Sequence, residues 1–225
     1  MSELFTNIDW YDIWIATLDT LLMLGGSLLF TVLFGLPLGI LLFLTGPRQM
    51  FQRNGLYAVL SLIVNALRSL PFIILLIVMI PVTKLITGTS LGVAGAIPPL
   101  VVGATPFFAR LVETALREVD RGIIEATQSM GATTAQIITR ALLPEARPGI
   151  IAAITVIAIT LVSYTAMAGV VGGGGLGDLA IRFGYQRFRG DVMLYTVVVL
   201  VVLVQLIQMV GSFVARRVDH RHPSS

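Results

Sequence analysis

Apolar residues run through this chain in long unbroken blocks, not in the short alternations of a soluble fold. Residues 21–44 carry no charge, and about 20 apolar residues suffice to cross a bilayer. Similar blocks occupy 56–67 with 70–82, 91–109, 149–171 and 192–215. In lipid each segment must satisfy its own backbone hydrogen bonds, as a helix does. The pattern therefore predicts an all-α membrane protein with five transmembrane helices. The second block is interrupted by Arg68 and Ser69 and should kink at Pro71. Arg68 reads as snorkelling at the surface from a helix that starts outside the membrane; a buried, functional arginine is the alternative. In the third block, Pro98, Pro99 and Pro106 argue against a smooth helix. Gly25, Gly26, Gly35 and Gly39 mark sites of close helix approach in the first block, where Pro37 should introduce a kink. Trp10, Tyr11 and Trp14 form an interfacial aromatic belt, with Asp19 an interfacial acid. In the fifth block Gln205 and Gln208 could bond between helices.

One stretch breaks the apolar rhythm. Residues 125–144, EATQSMGATTAQIITRALLP, are of mixed polarity and lie between the third and fourth blocks. They predict a helix, a break at Gly131, a new N-cap at Thr133 or Thr134, and a second helix stopped at Pro144. Asp120 is positioned to cap the first helix, with Glu125 in its early turns, where a carboxylate suits the helix dipole. Ile123, Ala126, Met130, Ile137 and Leu142 would offer apolar surface to a groove on another protein. Just upstream, Arg110, Glu113 and Arg117 share a helix face and read as a solvated ion-pair row where the helix leaves the membrane.

Composition agrees. Charged residues make up 12% of the chain, against about 25% in a soluble domain, and mean hydropathy is +0.92. The absence of cysteine excludes disulfides and thiolate chemistry. The net charge of +3 comes from arginines flanking apolar blocks, which is a topology signal and not a nucleic-acid footprint. No metal site is expected: His220 and His222 read as solvated tail residues. Residues 172–177 satisfy G-x-G-x-x-G, but no strand precedes them, so a dinucleotide site is excluded and a flexible re-entrant or hinge segment is expected. The first residues lack the basic region of a secretory signal peptide. No P-loop motif is present, so energy must come from elsewhere. No repeat or linker marks a second domain; residues 13–216 read as one membrane domain, with a loop at 120–146 and a short tail at 217–225.

Glu125-Ala126, Gly131-Ala132 and Leu143-Pro144 resemble the EAA loop of ATP-binding-cassette importer permeases, with Thr127 departing from the usual third alanine. Arg68-Ser69-Leu70-Pro71-Phe72, Gly88-Thr89-Ser90, Ser163-Tyr164-Thr165-Ala166-Met167 and Gly174-Gly175-Leu176-Gly177 extend the likeness to the methionine-importer permeases of bacteria. The resemblance implies a type I importer permease fold with a cytoplasmic coupling helix, carrying L-methionine, D-methionine and derivatives. It makes Glu125, Ala126, Met130, Gly131, Ala132, Leu143 and Pro144 the ATPase-coupling residues. Ser163, Tyr164 and Met167 are expected to border the gate or pathway, though helix packing explains them equally well. Pro71, Pro106, Gly174, Gly175 and Gly177 are expected hinge points.

One coupling loop per chain implies two copies facing two cytoplasmic ABC ATPase subunits, which would bind the ATP and magnesium. An external methionine-binding lipoprotein is the further partner, and this chain would bind no cofactor. With the loop inside, the inner segments hold Arg48, Arg53, Arg117, Arg121, Arg140, Arg147, Arg216, Arg217 and Arg221. The outer ones hold Lys84, Arg182, Arg187 and Arg189. The resemblance implies a bacterial inner membrane, and this bias places the N-terminus outside and the C-terminus in the cytoplasm. An importer of another small amino acid, and less readily a secondary transporter, remain as alternatives.

Overall fold

The first apolar block folds as a single helix, α1 (Trp10–Thr45). At 1.5 Å per residue it is about 54 Å long, more than a bilayer core needs. Its added N-terminal turns are amphipathic: Ile13, Ala16 and Thr20 turn inward while Trp10, Tyr11 and Trp14 stay exposed. The computed structural model describes residues 10–47 and 49–218. Arg48 and most of the expected tail, including Arg221, His220 and His222, lie outside the described residues.

After α1 come α2 (Asn54–Ser69), α3 (Phe72–Thr87), α4 (Gly92–Arg117) and α5 (Arg121–Ser129). Then follow α6 (Thr134–Gln136), α7 (Leu143–Glu145), α8 (Arg147–Val170), α9 (Gly175–Leu179) and α10 (Gly190–Val218). Widened π-helical turns occupy Ile137–Leu142 and Ala180–Tyr185. Four helical runs are long and apolar enough to cross a membrane: α1, α4, Thr134–Val170 and α10. The pair α2 and α3 makes a fifth crossing if counted together, but it is bent by 106°. The expected kink at Pro71 is thus a corner, with Pro71 as the N-cap of α3. Proline suits that place because its extended backbone ends α2 and its missing N–H costs α3 nothing.

Two expectations about proline are overturned. α4 runs unbroken through Pro98, Pro99 and Pro106. The turn before the first two is mostly small, Ala94, Gly95 and Ala96 with Ile97, and the helix is packed on several sides, conditions under which membrane helices tolerate proline. The second elbow helix does not stop at Pro144 either; Thr134 to Val170 forms one 37-residue run. The Leu143 N–H bonds to Ile138 O, one residue further back than in an α-helix. That extra residue widens the turn in front of Pro144, whose ring would otherwise meet the carbonyl of Arg140.

The core lies where α1, α4 and α8 meet, around Met23, Phe43, Leu100, Phe108, Leu116 and Ile157. Glycine lets α1 and α4 approach. A Cβ at Gly39 would fall 2.7 Å from Ala109 O and 2.6 Å from Val112 Cβ. A backbone oxygen cannot step aside, so Gly39→Leu should force the helices apart and cost about 3 kcal/mol. Thermal unfolding of the detergent-purified protein would read this as an early transition. Gly25→Leu, which faces open space, should melt like the parent. α10 is attached mainly along α8, and its apolar residues, Leu206, Met209 and Phe213 among them, point outward. Gln205 and Gln208 lie on exposed positions there and make no hydrogen bond to a described residue.

Candidate coupling elbow and membrane pathway

The elbow is built by local capping. Asp120 precedes α5, and its Oδ1 accepts the Gly122 N–H at 2.7 Å. α5 closes at Met130, and Gly131 follows with φ +77°, a left-handed conformation that glycine adopts at little cost. Its N–H donates to Gln128 O at 2.9 Å, and the Ala132 N–H to Thr127 O at 3.3 Å. Thr133 then starts the next helix with a full capping box. The Thr133 N–H donates to Gln136 Oε1 at 2.8 Å and the Gln136 N–H to Thr133 Oγ1 at 3.4 Å. Two helices are thereby fixed at an angle using only residues 120–136.

What the elbow presents differs in part from the expectation. Glu125, Ala126, Met130 and Gly131 are exposed, Met130 at 79%. Ala132, Leu143 and Pro144 are half-buried. Ile137 and Leu142, expected on the docking surface, are each only 1% exposed. The π turn changes the phase of the helix, so both residues face inward, Leu142 joining the main core. The outward apolar surface is therefore Ile123, Ala126 and Met130. Sequence reasoning missed two neighbours, Gln49 and Met50. They come from the α1–α2 loop and join Arg121, Ile124, Glu125 and Gln128 around a concavity of about 240 Å³. No signal within residues 120–144 could have named them.

The helix that delivers the elbow is anchored by a buried acid. Glu113 is 3% exposed, so the expected solvated row is corrected. Arg110 Nη1 donates to its Oε2 at 2.6 Å and Arg117 Nη2 to its Oε1 at 2.7 Å. The Tyr57 hydroxyl donates to Oε1 at 3.2 Å, and Arg110 Nη2 also reaches Asn65 Oδ1 at 3.2 Å. The carboxylate is covered because α2 lies across this face of α4.

At the other end, the Gly-rich run is tightly held. Gly172 and Gly174 have positive φ, as does Gly175 at +76°. The Leu176 N–H donates to Thr20 Oγ1 at 2.8 Å, and the Gly92 N–H to Gly172 O at 2.9 Å. A Cβ at Gly175 would lie 2.6 Å from Thr20 Oγ1, and one at Gly177 would enter the backbone of Ala166. Asp178 pairs with Arg182, and that contact keeps the guanidinium protonated above its ordinary range. Among the described residues no cluster of acids and histidines is arranged to hold a metal ion.

The expected gate residues separate. Tyr164 stacks on Phe72, with ring centres 4.2 Å apart and planes 6° from parallel. It borders a cavity of about 210 Å³ with Arg68 and Phe107. Ser163 and Met167 line a different groove, of about 530 Å³, between α8 and α10. Pro106 is buried inside α4, whereas Pro71 and Gly174 stand at true breaks between helices.

The bundle thus joins helices long and apolar enough to cross a membrane to an exposed, capped helical elbow, and comparison with known proteins makes that class a transport permease subunit. The chain belongs to the family of binding-protein-dependent transport system inner membrane components, whose model matches residues 32–222. It is 52% identical over 208 residues to the probable D-methionine transport system permease protein MetI of Vibrio cholerae, covering 92% of each chain. It is 46% identical over 220 residues to the methionine import system permease protein MetP of Bacillus subtilis, covering 98% of this chain and 99% of that one. Among solved structures it matches inward-facing conformations of the MetNI methionine ABC transporter with a TM-score of 0.92. The identity there is 47%, over 95% of this chain and 100% of that one. An amino acid ABC transporter at 17% identity and a TM-score of 0.75 shares the fold.

Proposed function

We propose that this chain forms the membrane pathway of an ATP-driven importer of methionine, accepting L-methionine, D-methionine and derivatives. Near end-to-end likeness to methionine permeases supports the substrate, and the exposed elbow supports the drive. The membrane domain covers 13–216, with the N-terminus outside and the elbow, residues 120–146, in the cytoplasm. Two copies pair, each elbow seating in one cytoplasmic ABC ATPase subunit; those subunits bind ATP and magnesium. A methionine-binding lipoprotein delivers substrate from outside. Ala126, Met130 and Gly131 enter the ATPase cleft, while Glu125 pairs with a basic group on its rim. Ala132, Leu143 and Pro144 hold the elbow to the bundle.

ATP binding draws the elbows together, and the bundle rocks between inward-open and outward-open states. Motion is concentrated at the helix breaks, Pro71 and Gly174, while Gly175 stays packed against Thr20. Pro106 and Gly177, which are closely packed, move with their helices. Tyr164 borders the pathway on one side of α8, and Ser163 and Met167 on another. The test is uptake of labelled methionine by vesicles holding this chain, its ATPase and its binding protein. Uptake should require ATP hydrolysis and survive collapse of the proton gradient. Uptake that dies with the gradient, or that favours another amino acid, overturns the reading.

A further inference from the structure

Arg68 stands exposed at the last turn of α2, beside the 106° corner, between Asn65 and Ser69 of its own helix and the apolar α3. It makes no ion pair with a described residue. Its guanidinium lies 5.4 Å from the centre of the Phe107 ring, a contact that leaves its N–H donors available to a ligand. The corner joins two 16-residue helices, each about 24 Å long.

Beside Arg68 is the cavity of about 210 Å³, whose other walls include Phe72, Leu75, Gly103, Phe107 and Tyr164. Drug-sized ligands occupy pockets of roughly 300–1,000 Å³, so this one suits a smaller solute. Gly103 helps keep it open: a Cβ there would press on Phe72 and Leu75 at 3.2 Å. The cavity has one cationic end, and the remainder is aromatic and aliphatic. That matches the carboxylate and the apolar side chain of a small amino acid, with no acidic side chain in the lining to meet its ammonium.

We propose that the cavity at the α2–α3 corner is a carboxylate-recognition subsite on the transport path. Arg68 pairs with the α-carboxylate, and the stacked Phe72 and Tyr164 with Leu75 receive the apolar side chain. This rests on the importer reading and names the contact by which the membrane subunit itself selects its solute. Arginine suits the task because its planar fork binds a carboxylate through two parallel hydrogen bonds. A thioether finds favourable contacts at aromatic rings. Once the carboxylate is bound, the charge at the corner is neutralised.

Because the chain has no cysteine, Leu70→Cys places a single permease thiol at the rim of the cavity. The assembled permease–ATPase complex would be labelled with a neutral maleimide, reading the permease band. Saturating methionine should slow labelling about fivefold, while methioninamide, which lacks the carboxylate, should not. Adding Arg68→Gln should remove the protection; Arg68→Lys, which keeps the charge, should retain part of it and guards against a merely misfolded variant. Protection that is equal with methioninamide, or that persists in Arg68→Gln, overturns the subsite. So does an absence of protection in a complex that imports methionine on ATP. A complex that imports no methionine at all overturns the importer reading instead.

Discussion

Met130→Asp should abolish ATP-dependent uptake while leaving the melting of the bundle unchanged. Met130 ends α5 and is 79% exposed, so its replacement disturbs no packing within the chain. Substitutions at such positions usually shift stability by no more than about 0.5 kcal/mol. Its apolar side chain nevertheless stands at the tip of an elbow whose angle is set by Gly131 and the Thr133–Gln136 capping box. Burying an aspartate in a partner's cleft without a counter-charge costs far more than the lost contact. A central anchor contributes about 2 kcal/mol or more to an interface, which corresponds to about 30-fold in affinity. Co-elution of the variant with the ATPase and uptake in vesicles would be measured side by side. Normal association together with normal uptake would show that the elbow tip does not carry the coupling contact.

Glu113→Ala should destabilise the bundle by about 3–5 kcal/mol, the usual cost of removing one partner from a buried ion pair. The carboxylate is the shared acceptor for Arg110, Arg117 and Tyr57. Without it two guanidiniums face each other across a gap between α2 and α4. Glu113→Gln keeps the volume and one acceptor, and should lose less. Removing the charge from both sides, as Arg110→Met with Glu113→Leu, should recover part of the loss, because well-packed apolar residues can replace a buried pair. Thermal unfolding of the purified chain would compare the four proteins. Equal midpoints for Glu113→Ala and the parent would mean that water reaches the network in the purified chain and that the buried pair does not hold α2 to α4.

Much of the architecture was legible because membrane helices announce themselves by length and apolarity. α8 and α10 coincide closely with the fourth and fifth blocks. The elbow's caps were legible for a different reason: Asp120, Gly131 and Thr133 act on atoms two or three residues away. What was not legible depended on distant neighbours or on helix phase. The burial of Glu113 is decided by Tyr57 and Asn65, which lie some 50 positions earlier in the chain. Ile137 and Leu142 turn inward because one extra residue in a π turn rotates them, and no propensity signals that. Pro144 looked like a stop, yet the same π turn absorbs it. Arg68 is exposed, as a surface arginine would be, but its place beside Phe107 depends on the corner at Pro71 and could not be read from the chain. Ser163 and Tyr164 are adjacent in the chain but open into different spaces, a separation visible only once α3, α4 and α10 are placed around α8.

The unbroken run from Thr134 to Val170 has a mechanical consequence. Thirty-seven residues extend about 55 Å, so the capped elbow and the Gly-rich turn lie at opposite ends of one helical rod, with the π turn near the elbow end. If the rod pivots near one end, a tilt of about 5° displaces the other by about 5 Å, roughly one helical turn. A small angular displacement at the elbow is thus amplified at the Gly-rich turn, and the capping box at Thr133 fixes the end from which the rod is moved.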